Sequence, residues 1–289
     1  MKNYVLYNPL SGNGRGEKSV NYVKLPEGDA VFLDVTEISD YSKFFDNLEK
    51  DDRVVICGGD GTLNRFINDT EKIDIKNDVL YLVAGSGNDF LNDINLKPTN
   101  MPVKINEYIK NLPMLTVNGK SYRLVNGAGY GLDGLCCLEK EKAQKKGKKG
   151  NYALIALKCI LYAFKPRKAT VCVDGVEYKY SRVWMTSAMF GRYFGGGIPI
   201  APIQDRNNPE GSLSVIVAHN LNKLRIILLF LSIFKGNHIK YKKYVALHKC
   251  HEVTVKFDVP SPLQIDGEVI PDVQSYTVCS GLKAFENAI

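Results

Sequence analysis

Apolar residues in the first part of the chain fall in short runs, each followed by a polar stretch and then by residues with helical spacing. Asn3–Tyr7, Ala30–Val35, Arg53–Cys57 and Val79–Ala84 read as strands. Ser39–Lys50 reads as a helix capped by Ser39 or Asp40, and Leu63–Asn68 opens another. Strand, loop and helix in repetition predict a doubly wound α/β domain. From about Thr116 the pattern changes to short alternating segments: Tyr122–Val125, Ala169–Val173, Arg182–Ala188, Leu213–Val217 and Glu252–Phe257. Asn118-Gly119 and Asp174-Gly175 are turn signals between strands. Two apolar helical stretches, Tyr152–Phe164 and Leu221–Phe234, interrupt this strand-rich region. The expected division is a first domain over 1–116, rejoined by the tail 275–289 through a final strand Ser275–Ser280, and a second domain over 117–274.

Composition narrows the classes. Of 289 residues, 45% are hydrophobic and 24% charged, which is globular and not disordered. No run approaches the ~18 apolar residues of a membrane span. Leu224–Phe234 is too short and contains Arg225, and the N-terminus has too short an apolar stretch for a signal peptide. Seven cysteines without regular spacing argue against a disulfide framework and fit a reducing cytosol. Adjacent Cys136 and Cys137 read as two reduced thiols.

Candidate chemistry lies in three glycine-containing loops, each at the carboxyl end of a predicted strand, where open α/β sheets bind ligands. The first is Asn8-Pro9-Leu10-Ser11-Gly12-Asn13-Gly14, whose glycines let backbone N–H groups approach an anion. It lacks the Lys-Ser/Thr end of a P-loop. The second is Gly58-Gly59-Asp60-Gly61-Thr62-Leu63-Asn64, with Thr62 a helix cap and a hydrogen-bond donor to a phosphate oxygen. A carboxylate among phosphate-binding glycines makes sense when magnesium lies between Asp60 and the phosphates. The third is Gly85-Ser86-Gly87-Asn88-Asp89-Phe90, with Asp89 a second magnesium ligand or anchor. Together they point to a nucleoside triphosphate with magnesium.

These residues resemble a known family. Gly58-Gly59-Asp60-Gly61-Thr62 with Leu63-Asn64 resembles the nucleotide signature of the diacylglycerol kinase catalytic domain, shared with sphingosine and ceramide kinases. Asn8-Pro9-x-Ser11-Gly12-x-Gly14, Gly85-Ser86-Gly87-Asn88-Asp89-Phe90 and Asp266-Gly267-Glu268 resemble that family's opening, third and late motifs. NAD kinases and 6-phosphofructokinases carry versions of the second motif alone. The resemblance spans Asn8 to Glu268 and is to the soluble bacterial lipid kinases. It implies a 6-phosphofructokinase- and NAD kinase-like α/β domain followed by a β-sandwich-like domain. It also implies ATP and Mg2+ as cofactors, and Glu268 as the general base that takes the proton from a lipid hydroxyl. Asp266 shares the catalytic motif, and Asp266-Gly267 forms a tight turn presenting Glu268. Asp60 and Asp89 would hold magnesium, and Thr36 resembles a position near the nucleotide. Two departures stand out. Leu115-Thr116-Val117-Asn118-Gly119 lacks the acid that relatives carry, and Asn208-Pro209-Glu210-Gly211 replaces a pair of metal-binding aspartates. Asp205 and Glu210 are all that remains for a second metal site.

Charge is divided unevenly. Residues 1–120 carry 14 basic and 18 acidic side chains, whereas residues 121–289 carry 24 and 13, and the whole chain is +7. Residues 140–168 hold ten basic side chains against Glu141, and 223–243 hold six with no acid, each beside an apolar helical stretch. Basic clusters next to apolar helices fit an anionic membrane surface, with a solvated lysine loop beside core helices as the plainer reading. No nucleic-acid motif is present. The expectation is an ATP-dependent lipid kinase acting on diacylglycerol, cytoplasmic and peripheral to the inner face of the membrane, with a homodimer allowed. A kinase for a soluble acceptor such as NAD and a non-catalytic nucleotide- or membrane-binding regulator are the alternatives.

Overall fold

A computed structural model describes residues 1–9, 24–84, 88–147 and 152–282. The chain divides into two compact units, Met1–Leu112 and Pro113–Ile289. The boundary falls a few residues before the expected one.

The first unit is built on a five-stranded sheet in the order β2-β1-β3-β4-β5. Its strands are β1 (Lys2–Tyr7), β2 (Asp29–Asp34), β3 (Arg53–Gly58), β4 (Asp78–Val83) and β5 (Val103–Lys104). The first four are mutually parallel and only β5 runs antiparallel. The near-continuous apolar runs of β3 and β4 are what a sheet covered on both faces requires. Val5, Val55, Cys57, Leu80 and Leu82 form the core on one face. Each such fully buried aliphatic side chain contributes about 1.5–3 kcal/mol. On the other, Tyr4 meets Phe44 edge-on, and Tyr41 and Phe45 meet Phe66. Tyr4 belongs to β1, and the other aromatics come from helices α1 (Tyr41–Asp46) and α2 (Asp60–Asp69). Asp40 caps α1, accepting from the Lys43 N–H at 3.2 Å. Helix α2 starts at Asp60, earlier than Leu63, so Thr62 lies inside its first turn and does not cap it. Gly59 holds the cap position and makes no side-chain bond. Short helices α3 (Asp89–Asp93) and α4 (Asn106–Ile109) follow β4 and β5.

The second unit is antiparallel. Its strands are β6 (Met114–Val117), β7 (Lys120–Arg123), β8 (Gly127–Gly131), β9 (Arg167–Val173), β10 (Val176–Val183), β11 (Met185–Met189), β12 (Leu213–Ala218), β13 (Val245–Cys250), β14 (Glu252–Ile265) and β15 (Glu268–Cys279). They order as β13-β12-β11-β8-β14-β15-β6-β7, with β9 on β14 and β10 on β9. Strand β14 changes partner along its length: Val253–Phe257 pair with β9, and Leu263–Ile265 with β8. Register shifts near Ser261 accompany the change. The segment from Ser275 does not return to the first unit. Ser275–Cys279 is the end of β15, paired with β14 and, at Thr277–Cys279, with β6.

Helices α5 (Leu132–Lys145), α6 (Tyr152–Lys158, continued by a π turn at Cys159–Ala163) and α7 (Lys223–Ile233) pack on one face of this sheet. Cys136, Ile160, Trp184, Ile216, Ile226 and Leu229 are among the buried residues of that core. Among the described residues, no helix is long and apolar enough to cross a membrane. All seven cysteines are free.

Candidate active site

Parallel pairing brings the predicted nucleotide residues of the first unit to one edge. Tyr7 is in register with Asp34 and with Cys57, and Gly58 with Val83. Asn8, Thr36, Gly59-Asp60 and Asn88-Asp89 therefore all follow the carboxyl ends of neighbouring strands. The strand order reverses direction at β1 and β3, and this is where such sheets open a binding crevice. Ser11, Gly12, Asn13 and Gly14, with Gly85, Ser86 and Gly87, lie outside the described residues.

Asp60 organises this edge. Its Oδ2 accepts the Asp89 N–H at 2.9 Å and its Oδ1 the Phe90 N–H at 3.2 Å. The carboxylate of the second loop thus caps the helix that begins the third. The side chain of Asn88, at the cap position itself, makes no capping bond and instead accepts from Asn92 at 3.2 Å. An acid in the first turn of α2 is also favoured by the helix dipole.

The glycines of the second loop divide by role. A Cβ on Gly58 would lie 2.4 Å from Thr62 Oγ1, so Gly58 lets the Thr62 side chain pack on the strand end. A Cβ on Gly61 would meet nothing within 4 Å among the described residues. Neither packing among those residues nor a left-handed backbone explains that glycine.

Asn64 is buried in α2, where its oxygen atoms accept from Asn68. Thr36 makes an Asx turn, its N–H and Oγ1 each 2.8 Å from Asp34 Oδ1.

The metal expectation can be weighed against this geometry. Asp89 is buried close by. The Tyr81 hydroxyl is buried without a hydrogen-bond partner among the described residues, and the Asp60 and Asp89 charges add to the burial that raises its pKa. Acids beside an unsatisfied buried hydroxyl suit a hydrated cation. Among the described residues no three His, Cys, Asp or Glu side chains converge.

The residues suggested for a second metal are otherwise engaged. Glu210 Oε2 lies 2.8 Å from Lys249 Nζ, and Lys249 lowers its pKa. Asp205 accepts the Asn207 N–H at 3.0 Å. Pro209-Glu210 thus contributes a surface ion pair.

In the second unit, Asp266 and Gly267 form the turn between β14 and β15, with φ of 46° and 98° and Ile265 paired to Glu268. Positive φ at both positions is the hairpin geometry that an Asp-Gly pair favours. Glu268 is exposed at the start of β15. The Asp266 carboxylate accepts three backbone N–H groups: Val125 at 2.7 Å, Asn126 at 2.8 Å and Gly127 at 2.9 Å. Burial raises its pKa, while these bonds and the Arg206 charge lower it. Arg206 bonds Val125 O and Asn126 Oδ1, both at 3.0 Å, and stacks on Phe190. Asp266 is therefore an anchor of the turn, and the catalytic role suggested for it does not match this geometry.

Residues 2–115 match the family described as the diacylglycerol kinase catalytic domain, and residues 128–280 match the YegS C-terminal NAD kinase beta sandwich-like domain. The chain belongs to the diacylglycerol kinase catalytic domain family over residues 2–115 and to the YegS C-terminal family over residues 128–280, more than half of its length. Its relatives carry corresponding names. A Staphylococcus carnosus protein named "Putative lipid kinase" is 26% identical over 285 residues, covering 93% of this chain and 90% of that protein. A Mycobacterium tuberculosis protein named "Diacylglycerol kinase" is 26% identical over 257 residues, covering 81% and 79%. Among solved structures, a "putative diacylglycerol kinase" from Bacillus anthracis superposes with a TM-score of 0.67 at 17% identity, covering 97% of this chain and 94% of the other. That likeness establishes the shared fold. The first unit is thus a kinase catalytic domain and the second its sandwich-like partner domain.

Several residues around the Asp266-Gly267 turn escaped the sequence reading. Asp133, Tyr152, Gln264 and Gly129 surround it from within. Their only local signal is an acid opening a helix just after a glycine-rich strand, Gly127-Ala128-Gly129-Tyr130-Gly131.

Proposed function

We propose that this chain is an ATP- and Mg2+-dependent lipid kinase that transfers the γ-phosphoryl group to a lipid hydroxyl, diacylglycerol giving phosphatidate. The observation that carries the reading is the Asp60 edge: an aspartate, a glycine that packing does not explain, and three strand ends in register. In this reading the second loop and its neighbours bind the nucleotide, with Asn8, Thr36 and Asn88 beside them. Ser11, Gly12, Asn13, Gly14, Gly85, Ser86 and Gly87 complete that set from the family motifs. Asp60 and Asp89 would hold the divalent ion, which when bound neutralises charge on the phosphates. Glu268 takes the proton from the acceptor hydroxyl, which is a poor nucleophile at neutral pH.

The acceptor is a membrane lipid in this reading, and the second unit has suitable surfaces. Helix α7 buries Ile226, Leu229 and Ile233 yet leaves Leu224, Leu228 and Leu231 exposed by 68%, 59% and 61%. A helix apolar all round needs an apolar partner on its outer face as well. Lys223, Arg225 and Lys235 are exposed around that stripe, so the partner we assign is an anionic bilayer surface. A small, mainly apolar cavity of about 20 Å³ lined by Leu132, Asp133, Tyr152, Met185, Phe230 and Ile233 lies between α5, α6 and α7.

The test is transfer of label from γ-labelled ATP with Mg2+ to diacylglycerol in mixed micelles, run beside NAD. Label in solvent-extracted phosphatidate is the expected result. Label in NADP with none in lipid would overturn the reading in favour of a soluble acceptor.

A further inference from the structure

The hairpin that presents Glu268 is held on two sides, and only one of them is the Asp266 clamp. On the other, the Gly267 N–H donates to Gln264 Oε1 at 2.8 Å, and Gln264 Nε2 donates to Asp133 Oδ2 at 3.0 Å. The second carboxylate oxygen, Asp133 Oδ1, accepts the Tyr152 hydroxyl at 2.9 Å. The chemistry fixes the direction of every bond: a backbone N–H faces the amide oxygen, so the amide NH2 must face the acid. Asp133 is 3% exposed and Gln264 2%. The surrounding backbone is shaped for the pair. A Cβ on Gly129 would lie 1.7 Å from Asp133 Oδ2 and 2.9 Å from Gln264 Nε2. A Cβ on Gly134, the next residue of α5, would lie 2.1 Å from the Pro262 carbonyl. Only glycine at both places lets α5 press its first turn onto β14.

We infer that Asp133 is a positioning residue for the transfer reaction: through Gln264 it fixes the Gly267 amide, and so the direction in which the hairpin offers Glu268. The inference rests on the reading of Glu268 as the base. The chain of bonds ends on a backbone amide, which does not release its proton at neutral pH, so its role is alignment and not proton relay. Tyr152, the first residue of α6, brings the helix beside the apolar pocket into the same arrangement. Alignment of this kind is costly to lose, because displacements of about 1 Å reduce transfer by up to ~100-fold.

The experiment uses the full chain and three variants of the tie. Asp133→Ala removes the acceptor. Asp133→Asn keeps an acceptor toward Gln264 and offers its NH2 to the Tyr152 oxygen. Gln264→Met breaks the bridge with little change of volume and serves if Asp133→Ala fails to fold. Asp133→Ala or Gln264→Met is expected to lower kcat by about 10- to 100-fold with KM for ATP unchanged. Asp133→Asn is expected to restore most of kcat. In a Glu268→Gln background, Asp133→Ala is expected to add no further loss, since the group it aims is gone. Amide exchange at Gly267 is expected to accelerate in Asp133→Ala whatever the activity.

A folded Asp133→Ala protein with full kcat, or a loss that multiplies with that of Glu268→Gln, would overturn the positioning role. Unchanged Gly267 exchange would overturn the tie itself. Full transfer by Glu268→Gln would instead sink the base assignment, a failure the exchange measurement tells apart.

Discussion

Asp60 in the first unit and Asp266 in the second do similar work in unlike sheets. Each is a loop carboxylate that gathers backbone N–H groups from a segment remote in sequence, 29 and 30 residues away for Asp60 and 139 to 141 for Asp266. Their surroundings differ. Asp266 binds three N–H groups next to a guanidinium and is an anchor for a hairpin. Asp60 accepts the N–H groups of Asp89 and Phe90, at an edge where parallel strands end together. The same side-chain chemistry ties a hairpin turn in one sheet and joins two glycine-containing loops in the other.

The largest effect expected from breaking this comparison is at the residue that the Asp266 turn presents. Glu268→Gln is expected to lower phosphate transfer by ~100- to 10,000-fold while ATP binding by calorimetry stays unchanged. Asp60→Ala is expected to cost transfer and ATP affinity together. It also leaves the N–H groups of Asp89 and Phe90 without their acceptor, at about 1–3 kcal/mol of stability. Asp266→Ala is the mirror experiment. Its three stranded N–H groups predict a similar or larger loss of stability in thermal melts, with ATP affinity intact. Equal ATP defects in both variants would erase the distinction between them.

A smaller effect is expected on the membrane side. Leu228→Asp lies on the exposed face of α7, so the fold is expected to hold. Vesicle co-sedimentation with anionic lipid is expected to fall about 10-fold, the order of one buried leucine. Wild-type binding by this variant would remove α7 from the docking surface.

The smallest effect is a pH dependence. Burial raises the pKa of Asp133 in the folded state, with the Tyr152 and Gln264 bonds opposing. A carboxylate with a raised folded pKa binds its proton more tightly folded than unfolded. Its stabilising share is present at acid pH and is lost as pH rises through the folded pKa. Asp133→Asn carries no charge to bury. Its melting temperature relative to the parent is therefore expected to rise with pH from the ordinary carboxylate range toward neutrality. A difference that shrinks over that range would contradict the sign.

Much of the fold was legible because it is local. Short apolar runs gave β1 to β4, and Asn118-Gly119, Asp174-Gly175 and Asp266-Gly267 each form a two-residue turn with both φ positive. What was not legible is long-range. The glycine-rich loop predicts a helix from Leu63, and the helix forms from Asp60, where the dipole favours an acid. Pro260 and Pro262 disguise the 14 residues of β14, which tolerates them where its pairing with β15 shifts. The glycine motifs mark the edge where the parallel strands end together, but no sequence pattern says that Asp60 caps a helix 29 residues on, or that Asp266 gathers three N–H groups about 140 residues away. The −4 and +11 split of charge also acquires a place: aspartates at the sheet edge of the first unit, lysines and arginine around the exposed leucines of the second.

The most direct test of the account is to identify the product formed from ATP, Mg2+ and a panel of diacylglycerol, monoacylglycerol, ceramide, sphingosine, phosphatidylglycerol and undecaprenol, with Glu268→Gln alongside. The account predicts phosphatidate from diacylglycerol, dependent on Mg2+ and absent with the variant. ATP binding with no phosphorylated lipid from any member of the panel would contradict it and make the chain a nucleotide-binding regulator.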